Sequence, residues 1–171
     1  MKSMILFEVD GENMFREVTR KKQCLTQDKI VEILKTEKRG VLSVIGDNGY
    51  PYGVPINYWY NEENGKLYFH SGKAGHKVDA MAKNKKVSFC VYDSGYKKEG
   101  EWALNISSVI IFGKVSIIED FKQAMDICRC LSLNYTQDTV YIEEEIQKFG
   151  KVTLCYELCP EHITGKIVNE S

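Results

Sequence analysis

The sequence predicts a mainly β fold, in which about six strands form a largely antiparallel, closed or half-closed barrel with flanking helices. Three observations predict this fold. Short runs rich in β-branched and aromatic residues recur along the chain. Tight turns join most of these runs, as they can only between antiparallel neighbours. Helical patterns are confined to a few segments, and the longest of them lies just before the last strand, so that the helices would flank one sheet.

The bulk properties indicate one domain and exclude several function classes. A chain of 171 residues fits a single domain, and we expect an N-terminal extension over residues 1–12 and one domain over residues 13–168. The net charge of -1 gives no global attraction to nucleic acid or a membrane surface. Charged residues interrupt the apolar N-terminus, and no run reaches the ~20 apolar residues of a membrane span. We therefore expect a cytoplasmic protein with neither partner.

The first half of the chain predicts one helix and three strands. Thr26 caps a helix whose apolar stripe recurs at helical spacing and which ends by residue 39. The predicted strands cover residues 41–45, 52–60 and 66–70. The Asn48-Gly49 pair predicts a hairpin between the first two strands. Pro55 has no backbone N–H, so the second strand is expected at a sheet edge or a bulge.

The second half predicts three more strands and three helices. A short helix is expected over residues 75–83, and a polar loop over residues 94–101. The predicted strands cover residues 86–93, 109–119 and 151–158. Asp120 caps a helix that reaches about Tyr135, and a further helix is expected over residues 138–149.

The six cysteines predict reduced thiols and no metal site. No Cys-x-x-Cys pair is present. Cys155, Cys159 and His162 are conceivable ligands, but structural zinc takes four ligands at tighter, paired spacing. Cysteines of a cytosolic protein stay reduced, so most of these thiols are expected to be buried in that form.

Residues 70–77, His-Ser-Gly-Lys-Ala-Gly-His-Lys, form the most informative segment. They lie where a strand ends and a helix begins, and the free N–H groups of a helix start favour an anion. Two glycines allow close backbone approach, and two lysines and two histidines add cationic or donor groups. The segment is therefore a candidate cradle for a phosphate monoester. The alternative, a solvated polar loop before a lysine-rich helix, remains open on spacing alone.

Residues 54–58 offer a second candidate feature. Pro55 removes a pairing donor, and an unpaired stretch of strand could present its backbone to a flat heterocycle. An edge strand without any ligand is the alternative.

These segments together resemble the flavin-binding split-barrel family related to pyridoxamine-phosphate oxidase, and specifically its nitroimidazole-resistance branch. The matching pieces cover residues 14–17, 40–44, 49–58, 67–71, 75–79, 108–114 and 161–166. They span nearly the whole chain beyond the first dozen residues. Residues 101–106 depart from the Thr- and Arg-containing pattern expected before the Ser-Val-Ile strand.

The resemblance implies a six-stranded antiparallel split β-barrel that forms a homodimer with FMN at its interface. The phosphate would be surrounded by His70, Ser71, His76 and Lys77. The isoalloxazine ring would be lined by Leu42, Ser43, Val54, Pro55, Ile56 and Asn57. Ser108, with Trp102 and Asn105, would approach the cofactor or substrate pocket.

The function implied is an FMN-dependent oxidoreductase. Electrons would pass from NAD(P)H through the flavin to a small-molecule acceptor such as a nitroaromatic or a quinone. His70 is the candidate proton donor, although a role as phosphate or positioning ligand is favoured. The alternatives are a non-catalytic FMN carrier or sensor, and a haem-binding or haem-degrading protein in which a histidine ligates iron. True pyridoxamine-phosphate oxidase activity is not expected, because the arginine-rich C-terminal strand of that enzyme is missing.

Overall fold

The computed structural model describes residues 15–169, the last of them by its backbone only. The expected extension over residues 1–12 and Met14 of the first matching piece lie outside the described residues. The helices are α1 (Gln27–Thr36), α2 (His76–Lys83), α3 (Phe121–Leu133) and α4 (Thr139–Phe149). The strands are β1 (Arg39–Ile45), β2 (Pro51–Asn57), β3 (Trp59–Asn61), β4 (Lys66–Gly72), β5 (Lys86–Tyr92), β6 (Tyr96–Lys97), β7 (Leu104–Ile117) and β8 (Thr153–Asn169).

All strands belong to one antiparallel sheet that curls into a split barrel. The strand order is β2-β1-β5-β7-β8-β4-β3, and β6 pairs only with β7. The two ends of this order, β2 and β3, are consecutive in the chain and meet at Tyr58. The sheet therefore turns back on itself, and β2 comes into contact with β4 across the gap in the barrel wall. The predicted mainly β, antiparallel split barrel with flanking helices is confirmed.

The strand count differs from the prediction for two local reasons. The run over residues 52–60 is two strands, because Tyr58 turns into the core, where it is 1% exposed and its hydroxyl donates to the Leu34 carbonyl at 3.0 Å. Two residues of the predicted polar loop, Tyr96 and Lys97, pair with β7. The sheet therefore has seven or eight strands rather than six, depending on whether the two-residue β6 is counted.

The last two long strands are longer than expected. β7 begins at Leu104, five residues early, because Asn105 is a buried polar residue whose amide donates to the Tyr96 carbonyl. β8 runs on to Asn169 and pairs with β7 along nearly its whole length. At the register shift in β7, a Cβ on Gly113 would lie 2.2 Å from the Cys159 carbonyl oxygen, so only glycine fits there.

The main core fills the barrel, and a second cluster lies outside it. Inner-facing side chains such as Leu42, Phe69 and Phe89 are fully buried, and α1 closes one end with its predicted apolar stripe. Burying a side chain of this size stabilises the fold by ~1.5–3 kcal/mol. The second cluster joins α3 to the outer side of β4 and β8. Its buried members are Tyr68, Ala124, Met125, Ile127, Cys128 and Cys155.

Side-chain caps set the helix starts that the sequence predicts. Thr26 accepts a hydrogen bond from the Lys29 N–H, and Asp138 accepts one from the Tyr141 N–H. Within the described residues, none of the helices combines the length and the apolar character needed to cross a bilayer.

Candidate functional site

A cleft opens at the gap in the barrel wall. It has a volume of about 320 Å³ and is lined by Arg39, Pro55, Ile56, Asn57 and His70. The start of β1, the end of β2 and the middle of β4 supply these residues. β2 is the edge strand of the order, as Pro55 predicts. The cleft therefore brings together three ring-side residues of the implied flavin site and His70.

Arg39 and Asn57 form a fixed pair in this cleft. They are opposite each other in the β1–β2 pairing, and the Arg39 Nε–H donates to Asn57 Oδ1 at 2.9 Å. This bond orients the Asn57 amide so that its NH₂ group is free to donate elsewhere. Arg39 has no ion pair with an acidic residue within residues 15–169. The pair thus offers N–H donors to a ligand with carbonyl or anionic oxygens.

His70 lies on the outward side of β4, opposite Cys155 of β8. Desolvation of the ring in the cleft, and secondly the nearby Lys77 ammonium, lower the pKa of His70 from its ordinary value of 6.5. The side chain nevertheless keeps contact with solvent. The imidazole is therefore mostly neutral at pH 7, a form in which one ring nitrogen donates and the other accepts.

The turn from β4 into α2 leaves backbone N–H groups without an acceptor side chain. Gly75 occupies the N-cap position with φ 127° and ψ 164°, and no side chain caps the helix. This backbone conformation is essentially restricted to glycine. The first N–H groups of an α-helix have no partner within the helix. They therefore form a potential anion site.

Lys77 lies in the first turn of α2 and is half-buried. Its Nζ is 5.9 Å from the centre of the Tyr156 ring, and desolvation lowers its pKa from the ordinary value of 10.5. No carboxylate pairs with Lys77 in the part of the chain that the structure describes. Beside it, the Tyr156 hydroxyl is buried without a hydrogen-bond partner, and burial raises the pKa of this phenol. A desolvated ammonium without a counter-ion is unfavourable unless an anion binds.

His76 points away from this turn. Its ring stacks on Tyr52 with 4.3 Å between centroids, and its Nε2 accepts the Asp47 N–H at 3.2 Å. The same Nε2 lies 3.6 Å from an Asp47 carboxylate oxygen. One nitrogen of His76 is thus engaged by the β1–β2 turn, while Ser71 uses its hydroxyl to donate to the Gly72 carbonyl at 2.9 Å.

The comparisons with known proteins agree with this fold. The family model for pyridoxamine 5'-phosphate oxidase matches residues 26–167. This chain belongs to that family. No curated protein matches the sequence.

Solved structures of this fold cover most of the chain at low identity. One is a candidate 5-nitroimidazole antibiotic resistance protein from Bacteroides thetaiotaomicron, with 20% identity, 85% of this chain and 87% of that chain covered, and a TM-score of 0.73. A candidate pyridoxamine 5'-phosphate oxidase from Listeria innocua has 24% identity, coverages of 84% and 98%, and a TM-score of 0.57. A FAD and haem binding protein from Mycobacterium smegmatis has 17% identity, coverages of 88% and 74%, and a TM-score of 0.69.

The residues that the resemblance assigns to the flavin ring fall into two sets, because successive side chains of a strand point to opposite faces of the sheet. Leu42 is fully buried in the barrel, and Val54 and Ile56 also face inward, so they can offer a ligand little more than backbone. Ser43, Pro55 and Asn57 face outward on the other side of the sheet. These outward positions form the wall that a planar ligand would meet.

Ser108 does not lie in the cleft. It is on β7, two strand spacings from β1, which supplies Arg39 to the cleft, or about 10 Å at the usual 4.8 Å per strand. It lines a separate cavity of about 490 Å³, together with Ile110, Thr164 and Lys166 of the sheet and the segment before α1. Trp102 is 72% exposed, and the Asn105 side-chain amide donates its hydrogen bond to the Tyr96 carbonyl.

Two residues of the candidate site were missed by sequence reasoning. Arg39 continues the outward alternation of Val41 and Ser43, so extending the predicted strand by two residues would have placed it beside Asn57. Tyr156 has no such signal, because only the folded barrel brings its ring to Lys77. Within the described residues, no group of three or more His, Cys, Asp or Glu side chains could hold a metal ion.

Proposed function

We propose that this chain binds FMN as a homodimer and passes electrons from a reduced nicotinamide to a nitroaromatic, a quinone or a similar acceptor. The observation that carries the proposal is the half-buried Lys77, which has no carboxylate partner in the described residues and lies at the uncapped start of α2. A phosphate monoester would supply the missing negative charge and accept the free N–H groups.

The residues present fit FMN in three respects. The phosphate would be held by Lys77 and the first amides of α2. Arg39 and Asn57 would donate to carbonyl oxygens of the ring system, and Pro55 would offer a surface that competes for no backbone hydrogen bond. When bound, FMN would supply the redox chemistry. His70, largely neutral at pH 7, would orient a ligand or relay a proton at the mouth of the cleft.

A homodimer accounts for the outward face of the sheet. Several large apolar side chains are exposed in this chain, among them Ile45, Tyr92 and Phe112, which are 46%, 55% and 40% exposed. A second copy packed on this face would cover these apolar side chains.

The first test is the absorption spectrum of the purified protein, followed by chromatography of any released cofactor. We expect flavin bands, release of FMN rather than FAD, and a dimer by light scattering. FAD in place of FMN would overturn the FMN assignment. A Soret band without flavin would favour the haem alternative, and a colourless protein that takes up neither would overturn both.

The second test separates an enzyme from a carrier. Flavin-loaded protein is mixed with NADPH in a stopped-flow instrument and then with a nitroimidazole or a quinone. We expect bleaching of the flavin bands followed by their return with the acceptor. Bound flavin that NADPH and NADH both fail to reduce would identify a carrier or sensor.

A further inference from the structure

Two buried thiols face each other where helix α3 packs on strand β8. The sulfur atoms of Cys128 and Cys155 are 3.3 Å apart, and the two residues are 9% and 1% exposed. The Cys155 thiol also donates to the Ala124 carbonyl at 3.4 Å. All six cysteines lie in the described residues, and this is the one sulfur–sulfur contact recorded among them. Twenty-seven residues of separation make it a long-range pair.

We propose that Cys128 and Cys155 form a reversible disulfide when hydrogen peroxide reaches the protein, tying α3 to β8. The proposal concerns a site outside the flavin cleft and does not depend on FMN binding.

The geometry demands little movement. The sulfur atoms need to approach by about 1.2 Å to reach the ~2.05 Å bonding distance. Both cysteines belong to the outer cluster, where apolar packing against Tyr68 and Met125 holds α3 on the sheet. Rotations of the two side chains can therefore bring the sulfurs together without separating these elements.

The two thiols differ in the way that a two-step oxidation requires. Cys128 is the more exposed, and its hydrogen bond with Cys155, with a smaller contribution from Arg129, lowers its pKa from the ordinary value of 9.0. The hydrogen bond to Cys128 and burial raise the pKa of Cys155. Cys128 is therefore the attacking thiol and Cys155 the resolving one, since the thiolate is the nucleophile.

The reaction balances with one peroxide. The Cys128 thiolate attacks a peroxide oxygen, the O–O bond breaks, and hydroxide leaves and takes up a proton to form water, which leaves a sulfenic acid on Cys128. The sulfur of Cys155 then attacks the sulfur of Cys128. The S–S bond forms, the S–O bond breaks, and the departing hydroxide takes the Cys155 proton as a second water. The dithiol loses two electrons, and the peroxide gains them.

The disulfide would lie one strand from the candidate site. Cys155 is the pairing partner of His70, so the covalent bond would fix the strand that supports this histidine. Cys128 belongs to the helix that covers the same part of β4. Oxidation of the pair would therefore make one wall of the cleft more rigid.

The test is a peptide map of wild-type protein after graded peroxide treatment and alkylation under denaturing conditions. We expect one disulfide-linked peptide pair containing Cys128 and Cys155, reversal by dithiothreitol, and a rise in Tm of about 5–10 °C on oxidation. Cys130→Ser, on the same helix, and Cys159→Ser, on the same strand, should leave the linkage intact. Cys155→Ser should instead accumulate a dimedone-reactive sulfenic acid at Cys128.

Two results would overturn the proposal. One is full alkylation of Cys128 and Cys155 at a peroxide dose that has already oxidised the exposed Cys24. The other is linkage of either thiol to a different cysteine, including Cys24 of a second copy. Because the map is made on wild-type protein, neither result depends on whether a variant folds.

Discussion

Helices α2 and α3 each follow a strand after a short turn, yet their polar groups are satisfied differently. At the start of α3 the Asp120 carboxylate accepts the Gln123 N–H at 2.7 Å. Farther along, Arg129 pairs with Asp126 at 2.7 Å and with Glu143 of α4. At the start of α2 a glycine replaces the cap, and Lys77 has no carboxylate within the described residues.

The contrast separates a structural helix from a candidate binding helix. The polar groups of α3 are neutralised within the chain, which favours stability. The start of α2 leaves N–H groups and a desolvated ammonium unmatched, which is unfavourable for the empty protein and favourable for an anion complex.

The largest predicted effect is a loss of flavin affinity when the charge of Lys77 is removed. Lys77→Met removes a charge-assisted phosphate contact, so FMN binding should weaken by ~1.5–3 kcal/mol, or roughly 10- to 150-fold in Kd. Lys73→Met is the matched control, since Lys73 is exposed on the same turn. Quenching of flavin fluorescence measures both affinities. Equal losses of FMN affinity in the two variants would show that the effect comes from the positive charge of the whole turn rather than from Lys77.

The glycine at the start of α2 should be required for its backbone conformation. Gly75→Ala places a side chain at φ 127°, where the added Cβ meets no atom within 4 Å, so strain alone should destabilise the fold by about 2 kcal/mol. Gly72→Ala also adds its Cβ in open space, at an ordinary φ, and should be nearly neutral. Urea unfolding of both variants measures the difference. Similar stabilities would contradict the role given to Gly75.

Removal of the α3 cap should affect stability without affecting flavin. Asp120→Ala leaves the Gln123 N–H without its acceptor and should reduce the free energy of unfolding by about 1 kcal/mol. Asp120→Asn retains an acceptor oxygen and should restore most of that stability. The FMN Kd of both variants should equal that of the wild type. A loss of affinity in Asp120→Ala would show that the two helices are not independent.

The smallest effect should be a pH dependence from His70. Its folded-state pKa is lowered below 6.5, so between that lowered value and 6.5 the unfolded chain binds more protons than the folded one. Stability should therefore fall as the pH drops below about 6.5 and be unaffected above it. Thermal melts of the flavin-free protein from about pH 7.5 to about pH 5 should show this slope, and His70→Gln should reduce it. An unchanged slope in the variant would contradict the lowered pKa.

Local signals were enough to predict most of the fold. Thr26 and Asp120 each accept from an N–H of the first helical turn, and these two helices begin where the caps predict. The errors occur where tertiary contacts override a local pattern. Tyr58 interrupts an alternating run because its side chain is buried under α1, and Asn105 extends a strand because the folded loop supplies a partner for its amide.

The candidate site was less predictable, since it depends on sheet order. The segment over residues 70–77 was predicted as a cradle, and the structure brings His70 and Lys77 near each other. His76 instead stacks on Tyr52, a contact between two elements that no spacing rule indicates. Ser108 lies outside the cleft because β5 separates its strand from β1, which supplies Arg39 to the cleft.

The start of α2 and Lys77 form the proposed phosphate site. The most direct measurement compares the Kd values of FMN and riboflavin, which share the ring system and differ by the phosphate, on flavin-free wild-type protein. We expect riboflavin to bind at least ~10-fold more weakly than FMN, and Lys77→Met to reduce this difference in Kd. Equal affinities for FMN and riboflavin on the wild type would contradict this site.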